Sequence, residues 1–249
     1  METLAKHIKT TCTLLFMLSM VLLNTGCDVD IESAASNKGT FFLSLTPDEV
    51  QSEVITRATL NLEVETFQIT LSEANGVPLL EKRLFGELTE AECTLPAATG
   101  YQLKAESCTP DEAVALNEGW GMAHFVGTTT FDIVSNQHTP VALTCSMDNA
   151  GVQFVFEQSF LDKFPIHAVT TQDGRSLVFN KDTQDKIAYY PIAEDEATIR
   201  LKLTGSAGGW SDRIDVIQEM PISRGKIYTI NVAYNESNAA KAELRVSTD

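Results

Sequence analysis

Short segments that alternate apolar and polar residues follow one another along most of this chain, and turn residues separate them. Residues 67–72 read FQITLS and stand just before Asn75-Gly76, while residues 151–158 read GVQFVFEQ. A period of two places one set of side chains on the buried face of a β-strand, and Asn-Gly is a strong hairpin signal. One segment, residues 110–118, has a helical pattern. The chain is therefore predicted to be all-β.

The series of strand segments begins a second time after the stretch SMDNAG at residues 146–151. Two blocks of roughly 100 residues match the usual size of one β-sandwich each. Residues 40–147 and 148–249 are therefore predicted to form two tandem β-sandwich domains of Greek-key, transthyretin- or immunoglobulin-like type. Residues 58–64 (ATLNLEV) also have strand character, and the tail 235–249 fits either a last strand or a frayed end.

The N-terminal residues have the pattern of an export signal. A basic start with Lys6 and Lys9 precedes the apolar run 11–23, which is shorter than the about 20 residues that cross a bilayer. The run ends in LNTGC, which resembles the lipobox of bacterial lipoprotein precursors, with Cys27 as the lipid acceptor. Residues 1–26 are therefore predicted to be cleaved. The alternative is an ordinary signal peptide with an incidental cysteine.

The residues after the signal are acidic and are predicted to be solvated. Residues 27–39 are small and polar without an apolar period, so we expect a flexible tether. Loss of the signal removes two lysines and one glutamate, which takes the net charge from −16 to −17. Nucleic acid and anionic lipid surfaces both favour Lys and Arg, so this balance argues against either as a partner. The predicted membrane contact is therefore the lipid on Cys27.

Three cysteines remain once Cys12 leaves with the signal and Cys27 carries lipid. They are Cys93, Cys108 and Cys145. An odd number in an exported chain allows at most one disulfide among them, and the spacing does not select a pair. No zinc-site spacing accompanies them, and no metal or cofactor is predicted.

No motif of an enzyme stands out in the sequence. GSAGG at 205–209 places Ser206 outside the G-x-S-x-G pattern of serine hydrolases. His124, His138 and His167 are scattered over strand or turn segments, which favours ordinary surface or strand histidines over a catalytic group. The paired carboxylates lie in turns of an acidic chain and are read as solvated charge. Catalysis is therefore not expected.

Two tryptophans are the candidate ligand contacts. Trp120 in EGWGMAHF and Trp210 in SAGGWSD both stand beside glycines, where a ring could be presented to a ligand. An exposed indole is a good platform for a sugar or a protein partner. The other interpretation, which the sequence favours, is that each ring pins its loop to a core.

The chain from about residue 40 to 235 resembles a family of Bacteroidetes lipoproteins built on a domain of unknown function. The resemblance is carried by FFLSL (41–45), ITRA (55–58), FQITLSEANG (67–76), LPAATGYQLKAES (95–107) and VALTCSMDNAGVQFVF (141–156). In architecture this family is similar to the fimbrillin-like lipoproteins, which build or decorate fimbriae. The DVDIE after Cys27 is similar to signals for the outer face of the outer membrane. The family brings no catalytic residues.

The resemblance also implies a processing site. In fimbrillin-like precursors, cleavage after an arginine near the start removes the lipid and first strand and frees a groove for a partner's strand. Arg57 in TRA resembles such a site.

The sequence thus predicts a lipid-anchored, surface-exposed protein of the outer membrane. Its expected role is structural or adhesive, as a fimbrial or adhesin component, with other surface or fimbrial proteins as partners. The alternative is a glycan-binding surface lipoprotein that uses Trp120 or Trp210.

Overall fold

The computed structural model describes residues 37–48, 62–171, 174–175, 177–194, 196–207, 213–235 and 241–248. The predictions for residues 1–36, for Arg57 and for Trp210 lie outside these ranges. Within them β-strands dominate, and the all-β class predicted from the alternating segments is confirmed.

The first half of the described chain contributes seven strands to one sheet. These are β1 (Lys38–Pro47), β2 (Gln68–Ser72), β3 (Pro78–Leu84), β4 (Thr94–Pro96), β5 (Ala98–Glu106), β6 (Phe125–Ile133) and β7 (His138–Met147). Their order is β3-β2-β5-β6-β7-β1-β4. The ladder between β6 and β7 runs only from Phe125↔Met147 to Val126↔Ser146. The sheet can therefore bend at this junction into two faces.

The second half of the described chain forms two four-stranded sheets. Its strands are β8 (Asn149–Phe156), β9 (Ile166–Thr171), β10 (Val178–Phe179), β11 (Ala188–Pro191), β12 (Glu196–Ser206), β13 (Arg213–Ser223), β14 (Ile227–Asn235) and β15 (Lys241–Thr248). One sheet has the order β10-β9-β12-β13 and the other β11-β8-β14-β15. The tail therefore contains a last strand, which was one of the two alternatives for it.

The two halves repeat one strand order. The run β3-β2-β5-β6 corresponds to β10-β9-β12-β13, and β4-β1-β7 corresponds to β11-β8-β14. In each half the first strand pairs parallel with a late strand, β1 with β7 and β8 with β14, while the other ladders are antiparallel. The strand pattern that begins again in the sequence after residues 146–151 therefore corresponds to a second set of strands with the same topology.

Buried side chains gather in two clusters. The first is built on β1, β2, β5, β6 and β7, and the second takes inward-facing residues from both four-stranded sheets, which therefore pack face to face. Each cluster includes residues from the other half of the chain: Trp120 joins the second, and Tyr189 and Ile227 join the first. The division into domains at residues 147 and 148 stays a prediction.

Turn chemistry explains the tight β2–β3 connection. Gly76 has a φ of 85°, in the left-handed region that glycine adopts most readily. The side-chain oxygen of Asn75 accepts a hydrogen bond from the Val77 N–H at 2.9 Å. The Asn-Gly pair thus closes the predicted turn by local interactions alone.

The first helix, α1 (Pro110–Ala115), is shorter than the predicted 110–118. Thr109 caps it, since its hydroxyl accepts the N–H of Glu112 while the Glu112 carboxylate accepts the N–H of Thr109. Leu116 then leaves the helical conformation, with a ψ of 167°.

Two further elements differ from the sequence prediction. A second helix, α2 (Gln158–Lys163), was not predicted. The described part of the predicted strand 58–64 is not a strand, because a single 3₁₀ turn begins at Val64.

Candidate functional site

Strand β1 is attached to the protein through distant parts of the sequence. It pairs parallel with β7 from Thr40↔His138 to Pro47↔Cys145, and antiparallel with β4 only over residues 38–40. Both partner strands lie more than 40 residues further along the chain. Among the described residues, the strand pairing of β1 therefore joins it only to parts of the chain that are distant in sequence.

The backbone of β1 also presents an edge. The N–H groups of Thr40 and Asp48 donate toward β7, at 3.0 Å and 2.8 Å, and that of Phe41 donates to the Cys93 carbonyl at 3.1 Å on the opposite side. N–H groups alternate along a strand, so the backbone of Leu43 faces away from β7. No other strand of the described chain pairs with this side of β1 beyond residue 40.

Side chains hold β1 through one fully buried ring. Phe41 is 0% exposed and lies 5.2 Å from the ring of Phe131, measured between centroids. Leu43 and Leu45 are half-buried against the same cluster. The next residue after Phe41, Phe42, is 59% exposed and contacts His138. Removal of β1 would therefore open a groove with a phenylalanine-sized hole in the first cluster.

Trp120 lies in a loop of unusual backbone conformation after α1. Asn117, Glu118 and Gly119 all have positive φ, and so does Gly121. The loop closes on itself, because the Asn117 amide donates to the Gly121 carbonyl at 2.8 Å. Left-handed non-glycine residues are unfavourable by about 1–2 kcal/mol each, so packing must hold this loop in place.

The Trp120 ring supplies that packing. It is 8% exposed and meets Phe179 edge-on at 4.8 Å. The ammonium of Lys186 lies 5.3 Å from the ring, and the Trp120 carbonyl accepts the Tyr189 N–H at 2.8 Å. The ring is therefore packed against the second cluster, as the core interpretation expects. It is not presented as an open platform.

A surface cleft lies beside this loop. Its volume is about 480 Å³, and its lining includes Asn117, Glu118, Asp185 and Lys186. Lys186 pairs with Glu118 at 3.3 Å. The cleft is open to solvent and its lining is about equally polar and apolar, since Ile187 and Tyr189 also line it, and only a small part of the indole reaches it.

The three predicted thiols are free, so no two of Cys93, Cys108 and Cys145 form a disulfide in the structure. Burial raises the pKa of Cys93 and Cys108, and it raises the pKa of Cys145 to about 11. Thiolate is the nucleophilic form of cysteine, so these groups are unreactive near neutral pH. Within the ranges that the structure describes, no group of three His, Cys, Asp or Glu side chains is placed to hold a metal ion.

The other predicted positions stay untested. Cys27, Arg57 and Trp210 lie outside the described residues, so the lipid anchor, the processing site and the second indole remain predictions. No helix in the described part of the chain is long and apolar enough to cross a membrane.

Sequence patterns did not reveal two features of the site. The parallel pairing of β1 with β7 joins residues nearly 100 positions apart, and His124, expected as a surface or strand histidine, is 4% exposed. A local sequence pattern does not indicate which strand pairs with β1, and it does not indicate that a histidine in a connecting loop is buried.

Comparison with known proteins gives the following similarities. The sequence profile of a domain of unknown function, DUF4493, matches residues 37–249. A fimbrial assembly protein from Parabacteroides distasonis ATCC 8503 is similar at 12% identity and a TM-score of 0.43, over 78% of this chain and 94% of that one. The fimbrial anchor protein Mfa2 from Porphyromonas gingivalis is similar at 10% identity and a TM-score of 0.45, over 85% and 97%. No curated protein matches the sequence.

Proposed function

The chain belongs to the DUF4493 family, a domain of unknown function, and we propose that it is a lipid-anchored protein of the outer-membrane surface with a structural or adhesive role. In this proposal Cys27 carries the lipid, the predicted tether 27–39 links the lipid to the body, and the β-rich body meets other surface or fimbrial proteins. The last two residues of that predicted tether, Lys38 and Gly39, belong to β1. The apolar run followed by LNTGC supports the anchor.

The attachment of β1 carries the structural part of the proposal. A ten-residue strand that binds through backbone hydrogen bonds and one buried ring can be replaced by an extended segment of another chain. The buried Phe41 gives such an exchange its side-chain specificity, since a replacement strand must fill the same hole. Assembly by strand exchange is a role for which no catalytic group is needed.

Arg57 fits this role by its position. It lies ten residues after the end of β1 at Pro47, so a cut after Arg57 would separate Cys27 and β1 from the rest of the body. The strand would then be held by non-covalent contacts alone. We propose that this cut converts an anchored precursor into a subunit that accepts a partner's strand.

The test uses a unique protease recognition sequence placed across Arg57 and a fluorescent peptide with the sequence of residues 38–48. After the cut, the peptide is expected to replace β1. A peptide with Phe41→Ala should fail to bind, while one with Phe42→Ala should bind like the wild type, because the second ring is exposed. A cut protein that retains its own fragment and takes up no peptide would reject strand exchange.

Assembly is measured separately on the cut protein. Ladders that resist SDS are expected if a neighbouring copy supplies the strand. A protein that remains monomeric after the cut would reject the fimbrial-subunit form of the proposal, while leaving an anchored adhesive role.

The lipid anchor has its own experiment. Mass spectrometry of the mature N-terminus should find Cys27 modified, and Cys27→Ser should release the protein from the membrane fraction. Cys12→Ser is the matched control, because it lies in the predicted signal. An unmodified N-terminus elsewhere would contradict the anchor.

Glycan binding remains the second candidate, supported by the cleft beside Trp120. It has less support, because most of that ring is packed. The expected result is loss of retention on a polysaccharide array in Trp120→Ala or Trp210→Ala. An array on which the wild type binds nothing would reject it.

A further inference from the structure

Strand β13 is a long edge strand, and within the described ranges no strand pairs with its outer side. It pairs with β12 over all 11 of its residues, from Glu196↔Ser223 to Ser206↔Arg213, without a register shift. The edge strands β4, β10 and β11 have at most 4 residues, and the edge strand β3 pairs with β2 through register shifts. A long and regular edge is a template for pairing with another chain.

Hydrogen bonds around β13 indicate which backbone groups point to this outer edge. The Thr170 hydroxyl on β9 donates to the Lys202 carbonyl at 3.4 Å, so the backbone of Lys202 faces β9. Its partner on β13, Ile217, therefore directs its own N–H and C=O away from β12. The Ser223 N–H follows the same alternation, because it donates to the Tyr228 hydroxyl at 2.8 Å and not to β12. The residues whose backbone groups point to the edge are thus Arg213, Asp215, Ile217 and Glu219.

Pro221 marks the point at which this edge stops. It has the same alternation as Ile217, so the N–H that proline lacks would have pointed outward, and the ladder with β12 is left intact. The part of β13 that can pair with another strand therefore runs from residue 213 to residue 219.

Side chains on both faces of β13 are incompletely covered. Ile214 and Val216 pack against the second cluster but are only partly buried. On the opposite face, Ile217 is 49% exposed. A further strand at the edge would remove apolar surface of all three residues from water, which favours a protein strand as the occupant.

A second copy of β13 fits this edge in one antiparallel register. With a two-fold axis at Val216, this valine lies opposite itself, and Arg213 of one copy lies opposite Glu219 of the other. Opposite charges placed directly across a strand pair stabilise it. An axis at Asp215 would place this carboxylate opposite itself, and an axis at Ile217 would place it opposite Glu219. Both alternatives oppose like charges, which is unfavourable.

We propose that the chain forms a two-fold dimer in which β13 pairs antiparallel with β13 of a second copy, centred on Val216. The two sheets that end at β13 then join into one continuous sheet. Because both copies use the same edge, the interface is closed and the assembly stops at two copies. The dimer uses a different strand from the proposed exchange of β1, and it needs no cut after Arg57.

Disulfide cross-linking of the uncut full chain tests the register. At the axis, the two copies of Val216 form a pair without backbone hydrogen bonds, with Cα atoms about 4.5 Å apart, a separation that a disulfide spans. Under oxidised glutathione, Val216→Cys should give a covalent dimer. Gln218→Cys is the matched control, because residue 218 lies opposite Ile214 and should give no more dimer than the wild type. Equal cross-linking of Val216→Cys, Gln218→Cys and the wild type would overturn the proposal.

Sedimentation velocity without cross-linking tests the edge itself, and it serves if Val216→Cys does not fold. The uncut wild type in mild detergent should sediment as a dimer over the micromolar range. Ile217→Pro removes an outward N–H and leaves the ladder with β12, so it should sediment as a monomer with an unchanged circular dichroism spectrum. Ile217→Thr keeps that N–H and should remain a dimer. A wild type that is monomeric at every concentration, or a folded Ile217→Pro that stays dimeric, would overturn the proposal.

Discussion

The paired phenylalanines of β1 give the sharpest test of how this strand is held. Phe41 is 0% exposed and packs against Phe131, so Phe41→Ala removes a full ring from the first cluster. Core Phe→Ala substitutions cost about 3–5 kcal/mol of unfolding free energy. Because β1 has little strand pairing on its outer edge and can relax, we expect a value near the lower end, about 3 kcal/mol.

The neighbouring substitution is the control. Phe42 is 59% exposed, so Phe42→Ala should change the free energy of unfolding by only about 0.5 kcal/mol or less. Urea denaturation followed by circular dichroism, analysed with a common slope, measures both values. If the two variants differ by less than about 1 kcal/mol, Phe41 does not hold the strand as the packing indicates.

Further predictions concern a thiol, two glycines and a helix cap. Burial raises the pKa of Cys145 to about 11. Iodoacetamide at pH 8 should therefore label this thiol far more slowly in the folded protein than in the protein unfolded by urea. Equal labelling rates would contradict the burial of Cys145. Gly76→Ala should cost about 1–2 kcal/mol for its positive φ, and Gly121→Ala should cost more, since its added Cβ would meet the Ala113 carbonyl oxygen. Thermal melts of the two variants test that order, and equal losses would reject it. Hydrogen bonds that Thr109 donates lower the pKa of Glu112. Their stabilising effect is therefore present near neutral pH and is lost as the pH falls below about 4.5. In a pH series of thermal melts, Thr109→Ala should weaken this loss of stability at acid pH.

Local patterns were sufficient for most strands because a period of two and turn chemistry act over a few residues. The alternating segment at 67–72 became β2, and Asn75-Gly76 closed the turn after it. Where local preference was weak, the prediction failed: residues 62–64 are not a strand, and α2 has no strong helical signal in the sequence. Both are short elements, whose conformation depends on the surfaces they contact.

The candidate site was less accessible from the sequence. The glycines beside Trp120 were compatible with a presented ring, and only the neighbouring Phe179 and Lys186 show that the ring is packed. His124 was read as an ordinary histidine, because Glu106 and Asp148 come near it only through the sheet and the connection between β7 and β8. Burial and charge pairing depend on contacts between residues that are far apart in the chain, and a local sequence pattern does not reveal such contacts.

The sequence by itself determined the all-β class, the twofold run of strand segments and the family, since each depends on residue order over short windows. The tertiary structure alone decided which strands pair. It placed β1 against β7, nearly 100 residues away, with Phe41 inside and Phe42 outside. Backbone hydrogen bonds are nearly the same for every residue type, so the sequence of a strand does not name its partner. Packing of whole faces selects that partner.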